Sequence, residues 1–145
     1  VKSQFKVSKK VIDEFVKLKK GWIEKALKRQ TESYIFPKFP DEIFEQMRME
    51  TNRKVEKYLT DFPGEKPEII SIRKQKSVWG SCNSKNKITI NALAGILPES
   101  LFEYIMIHEL CHLVYMNHSA DFWKLVSYYL PSYKILRNEL KKYRL

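Results

Sequence analysis

Residues 101 to 114 are apolar on nearly every side, interrupted only by Glu103, His108, Glu109 and His112. A helix with that pattern has no broad polar face to give to water, so the rest of the domain must enclose it. Pro98 and Glu99 suit its first turn, where a proline loses no hydrogen bond and an acid meets the positive end of the helix dipole. An enclosed helix normally excludes unpaired polar groups, each of which costs about 1 to 3 kcal/mol. His108, Glu109 and His112 therefore need a common partner. The chain has three histidines in all, and the third, His118, lies only six residues past His112.

A metal ion would satisfy these groups together. Residues four apart on an α-helix differ by about 40° in azimuth and 6 Å in rise, so His108 and His112 present imidazoles to one point, with Glu109 beside it. This is the helical form of the zinc-protease motif, in which the glutamate takes a proton from water activated by the metal. On an unbroken helix His118 would sit about 9 Å beyond His112 and 240° around the axis. The helix is therefore expected to end near Tyr115 or Met116, with Asn117 taking a left-handed conformation and Ser119 capping the next helix. Asp121 and Glu139 are the rival third ligands, the first near the start of the next helix and the second far off in the last one. Three imidazoles and one open position suit Zn²⁺ better than Mg²⁺ or Ca²⁺, which prefer oxygen ligands. Cys111 reads as a small packed residue rather than a ligand.

The flanking sequence places this helix in an α+β domain. Val11, Ile12, Phe15, Leu18, Trp22, Ile23, Ala26 and Leu27 recur at helical spacing and predict a helix from Lys9 to Arg29, capped by Ser8. A second stripe, Phe44, Met47, Thr51, Val55, Tyr58, Leu59 and Phe62, stops at Pro63-Gly64. Ile69, Ile70 and Ile72 mark one strand, Ile88 and Ile90 another, and the Asn83 to Asn86 run reads as a hairpin turn. The expectation is a small, mainly antiparallel sheet. Phe122 to Tyr129 then predicts a helix behind Ser119, and a basic helix ends near Tyr143. With 145 residues the whole chain reads as one domain, helical over residues 1–67 and catalytic over 68–145.

Twenty-seven Lys and Arg oppose 17 Asp and Glu for a net charge of +10, and residues 1 to 30 carry ten of the basic residues against three acids. Such a surface attracts anionic partners without naming one. Nucleic acid held by the lysines of the first helix is thus an accessory partner, against the plainer reading of a solvated polar face. Charges interrupt every hydrophobic run, so no span crosses a membrane. Two cysteines and no secretory apolar core favour the reducing cytoplasm. The chain opens on Val1 rather than Met, which leaves room for an upstream segment. The oligomeric state stays open.

Beyond the motif, Val78-Trp79-Gly80-Ser81-Cys82, His108-Glu109-Leu110-Cys111-His112, Met116-Asn117-His118-Ser119 with Phe122-Trp123, and Leu130-Pro131-Ser132-Tyr133-Lys134 resemble the YgjP-like metal-dependent hydrolases, within the zincin metallopeptidases. The chain also resembles SprT-like proteases, which share a compact zincin core. The resemblance implies a zincin-like fold with N-terminal helices, a buried active-site helix and C-terminal helices. It implies His108, His112 and His118 as metal ligands and Glu109 as catalytic base, in agreement with the spacing. It adds Gly80 and Ser81 as residues beside an extended peptide on a sheet edge; a tight turn packed by Trp79 is the competing reading.

The leading expectation is a zinc-dependent metallopeptidase acting on protein or peptide. The family also implies a nucleoside triphosphate pyrophosphatase acting on UTP, with Arg73, Lys74 and Lys76 on the phosphates. No Gly-rich phosphate loop and no carboxylate cluster for Mg²⁺ accompany them. A basic nucleic-acid-binding module with a structural metal is the non-enzymatic alternative.

Overall fold

In the computed structural model, residues 34–35 and 41–145 are described, and the predicted helix from Lys9 to Arg29 lies outside them. The elements run β1 (Tyr34–Ile35), α1 (Asp41–Asp61), β2 (Ile69–Arg73), β3 (Gly80–Cys82), β4 (Lys87–Asn91), a 3₁₀ turn (Ala92–Ile96), α2 (Glu99–Cys111), α3 (Ala120–Tyr129), α4 (Tyr133–Leu140) and β5 (Tyr143–Arg144). The class is α+β, and Ile35–Leu145 form one compact unit. None of the described helices is long and apolar enough to cross a membrane.

The second apolar stripe becomes α1, with Met47, Thr51 and Val55 buried. Thr51 is the one polar residue in that trio and is fully satisfied. Its hydroxyl donates to the Ala92 carbonyl at 2.6 Å and accepts from the Gly95 amide at 3.0 Å, which ties α1 to the 3₁₀ turn. A side chain on Gly95 would strike Thr51, so the contact requires glycine there.

The three-stranded sheet has the order β2-β4-β3 and is mixed, not mainly antiparallel as expected. β3 and β4 form the expected antiparallel hairpin, with Asn86 left-handed at φ 51° in its turn. β2 runs parallel to β4, pairing Ile70 with Ile88 and Ile72 with Ile90. Residues 74–79 carry the chain past the place beside β2, and the returning β4 fills it, so β4 points the same way as β2. Alternating isoleucines specify which face of a strand is buried, but not the direction of its neighbour. The buried Asn91 fastens this crossover: its amide donates to the carbonyls of Gln75 at 2.9 Å and Val78 at 3.0 Å.

α2 is enclosed, as its sequence requires. Leu101, Phe102, Ile105, Met106 and Leu110 pack with Ile88 and Ile90 of the sheet. Its other side, through Tyr104, Ile107 and Cys111, packs with Phe122, Val126, Leu130 and Tyr133 of the C-terminal helices and the residues around them. Cys111 is 1% exposed, in keeping with a packed residue, and both Cys82 and Cys111 are free thiols.

The helix ends earlier than predicted, at Cys111 with His112 as cap. It then tightens through bonds from the amides of Leu113 to Leu110 and of Val114 and Tyr115 to Cys111. The reversal also uses no left-handed Asn117, since Asn86 is the sole non-glycine residue with positive φ among the described residues. Asn117 turns the chain through its side chain, whose Oδ1 accepts from the Ser119 amide at 3.3 Å. Ser119 caps α3 as expected, accepting from the Phe122 amide at 3.3 Å. α4 stops at Leu140, three residues short of the predicted end.

Candidate metal centre

The last turn of α2 and the reversal behind it bring His108, His112 and His118 together. One ring nitrogen from each lies within 4.8 Å of the other two. The Nε2 atoms of His108 and His118 are 3.0 Å apart. In a tetrahedral site with bonds of 2.0 to 2.1 Å, ligand nitrogens stand about 3.3 Å apart, so this spacing fits a shared ion. His112 Nδ1 lies 2.9 Å from the Tyr115 carbonyl oxygen, which can only accept, so Nδ1 carries a hydrogen and Nε2 is the nitrogen left to face an ion. Closing the helix at Cys111 thus both turns the chain toward His118 and orients His112.

Aromatic rings surround the cluster. Phe122 stacks on His112 at 4.5 Å and meets His108 edge-on at 5.1 Å. Trp123 stacks on His118 at 5.5 Å. Burial, followed by the neighbouring His112 and His118, pushes the His108 imidazole down to about 3. Burial, then His112, also holds His118 below the usual histidine range. Both rings are therefore neutral near pH 7, the form that coordinates a metal.

Glu109 is 5% exposed, and burial raises its carboxyl to about 8. Its Oε2 is buried with no hydrogen-bond partner, as is Nδ1 of His108. The carboxylate packs directly on β3: a Cβ placed on Gly80 would come 2.7 Å from Glu109 Oε1 and Cγ. Gly80, Glu109, His108 and Tyr104 share a cavity of about 230 Å³ with Val78, Trp79, Ile105 and Leu140. β3 is an edge strand of the sheet, and Ser81 is exposed on it. The segment is thus extended rather than a tight turn, with Trp79 packed against the core.

The rival ligands stay outside the cluster. Asp121 accepts from Lys124 at 2.9 Å and Glu139 pairs with Lys142 at 2.8 Å. Of the residues considered for phosphates, Lys74 turns toward α1, with Asp41 at 4.0 Å and the Phe44 ring at 5.3 Å. Arg73 ends β2, on the far side of β4 from β3. One neighbour escaped the sequence reading, Arg137 on α4, whose guanidinium lies 4.7 Å over the ring of Trp123, a residue the sequence offered only as part of the family resemblance. The only sequence signal was a basic residue one helical turn past Tyr133 on the same face, too common to single out.

A family profile described as YgjP-like, metallopeptidase domain, matches residues 38–143, which include the whole histidine cluster. The chain belongs to the YgjP-like metallopeptidase family. As a YgjP-like domain it is a metal-dependent peptidase, and its three-histidine cluster is suited to a metal ion. Among solved structures it is similar to the metallopeptidase zymogen of Pyrococcus abyssi abylysin, with 23% identity and a TM-score of 0.46 over 67% of this chain and 90% of that one. No curated protein matches the chain.

Proposed function

We propose that this YgjP-like domain is a zinc peptidase in which His108, His112 and His118 hold the ion and Glu109 is the general base. The observation that carries the reading is the convergence of three imidazoles on one cluster within 4.8 Å, beside a buried carboxylate. Three nitrogen donors with no acid among them match Zn²⁺ better than a cation that prefers oxygen. Such an ion, when bound, acts as Lewis acid toward the scissile carbonyl and the attacking water.

The chain's own groups do the rest. Glu109 takes a proton from the attacking water at Oε2 and returns it to the departing amine. Burial alone would keep that carboxyl protonated at neutral pH, and a dication beside it favours the ionised form the base needs. Gly80, lacking a side chain, lets the carboxylate lie against β3. Gly80, at a non-hydrogen-bonded position against β4, then offers its backbone donor and acceptor along the free edge of β3, with Ser81 exposed beside it, where an extended peptide adds as a further strand.

The test compares wild type, Glu109→Gln and His118→Ala, purified without nickel, for metal content and casein cleavage. Wild type is expected to carry about one zinc per chain and to cleave. Glu109→Gln is expected to keep zinc and lose activity about 10²- to 10⁴-fold. His118→Ala is expected to lose zinc affinity by more than the 10- to 100-fold typical of an outer-shell partner. Full cleavage by Glu109→Gln, or UTP hydrolysis with none of casein, overturns the reading.

A further inference from the structure

On its α4 side the histidine cluster adjoins a positive face. Lys134, Arg137, Asn138 and Lys141 follow at i, i+3, i+4 and i+7, along one side of the helix and its cap. Arg137 lies 4.7 Å over Trp123, and Trp123 stacks both on His118 at 5.5 Å and on Tyr133 at 5.4 Å. Lys134 Nζ sits 6.0 Å from the Tyr133 ring centre. Trp123, Tyr133, Lys134, Arg137 and Asn138 line a cavity of about 260 Å³. Asn138 Oδ1 accepts from Lys141 Nζ at 3.1 Å, which leaves the amide NH₂ as a donor.

Lys134 and Arg137 have no carboxylate partner among the described residues. The acids closest in sequence are already paired, Glu139 with Lys142 and Asp121 with Lys124. This face therefore holds two cations and an amide donor facing a cavity, with no carboxylate among the described residues paired to either cation. A guanidinium placed over an indole by a cation–π contact can still turn its fork of N–H donors to a carboxylate, whose geometry that fork matches.

The cavity is close to the cluster. Arg137 is separated from His118 by a single ring, and the two ring spacings put it within about 10 Å. An extended peptide advances about 3.3 to 3.6 Å per residue, so one or two residues plus a side chain cover that distance. The cavity beside Glu109 is lined by Gly80 of β3 and by Leu140 of α4, so a peptide on the β3 edge also meets the helix that carries Arg137.

Resting on the peptidase reading, we propose that Arg137, with Lys134 and Asn138, forms a carboxylate-binding subsite that selects peptides bearing a negative charge one or two residues from the cleaved bond. The charge comes from an acidic side chain or from the peptide's own C-terminus.

The test uses peptide pairs that differ by Glu against Gln on either side of the cleaved bond, and pairs that differ by a free against an amidated C-terminus. Cleavage is measured as kcat/KM, and binding by calorimetry to zinc-loaded Glu109→Gln protein. The charged member is expected to win about tenfold in both readouts, less at 0.5 M salt. Arg137→Ala is expected to abolish the preference, and Arg137→Lys to restore part of it. A preference in the Glu/Gln pairs alone assigns the side chain, and one in the free/amide pairs alone assigns the C-terminus. Equal binding and cleavage of charged and neutral members overturns the proposal while leaving the peptidase reading intact, and so does a preference indifferent to Arg137. Arg137-dependent binding of single-stranded DNA without peptide discrimination also overturns it, in favour of phosphate. If no peptide is cleaved, the peptidase reading fails, and the binding comparison alone decides the subsite.

Discussion

Gly80→Ala separates the position of the base from its chemistry. Gly80 has no left-handed backbone to lose, because no glycine among the described residues has positive φ, and it lies in a strand that alanine tolerates. Its new Cβ would stand 2.7 Å from Glu109 Cγ and Oε1 and 2.9 Å from Cδ, where ordinary contact begins at 3.4 Å. The carboxylate must therefore retreat by about 0.7 Å. It is 5% exposed, so the shift is taken up within the site and the small cavity it lines with Gly80 and His108, away from its position in the wild type. A displacement near 1 Å of a catalytic group costs about 10²-fold in rate. We expect kcat/KM on a casein-derived peptide to fall by that order, with zinc content retained and the melting temperature close to wild type. Adding Gly80→Ala to Glu109→Gln should cost little more, because the base it displaces is already gone. Wild-type activity in the single variant, or a full additional loss in the double variant, would refute the reasoning.

Two further outcomes follow from the burial of polar groups. In metal-stripped protein, the raised Glu109 carboxyl keeps its proton up to about 8, while the unfolded chain releases it near the ordinary 4.5. The folded state then binds more protons across that window, so Glu109's contribution to stability falls as pH rises through it, by at most about 1.4 kcal/mol per pH unit. His108, held down to about 3, acts in the opposite sense, but only below its unfolded value of 6.5. Urea titrations in chelator between pH 6.5 and 8 should show wild type losing stability relative to Glu109→Gln, and a flat or rising difference rejects the burial argument. Thr51→Val removes both bonds that join α1 to the 3₁₀ turn and strands the Ala92 carbonyl and Gly95 amide. It should cost about 1 to 3 kcal/mol per stranded group in denaturant unfolding, and an unchanged midpoint would show that the groups find other partners.

The central helix, the histidine cluster and its neighbouring glutamate were legible because each rests on a period. Apolar residues all round demand enclosure, and a spacing of four puts two imidazoles on one face. The cap at Ser119 and the hairpin at Asn83 to Asn86 were legible from local turn chemistry. Strand direction was not, since Ile69 to Ile72 carry the same alternation whether β4 runs with β2 or against it. The early end of α2 was also hidden: residues 113–116 continue the apolar pattern, and it is the bond from His112 to the Tyr115 carbonyl that accompanies the tightened turn.

By itself the amino-acid order determined what is periodic or local: which helix is buried, which imidazoles share a face, where the caps fall. Tertiary structure alone decided what meets across long separations. It laid Gly80 against Glu109, stacked Trp123 on His118, and brought Arg137 from the last helix to the edge of the cluster. Those contacts depend on how packed elements cross, and no residue spacing along the chain encodes a crossing.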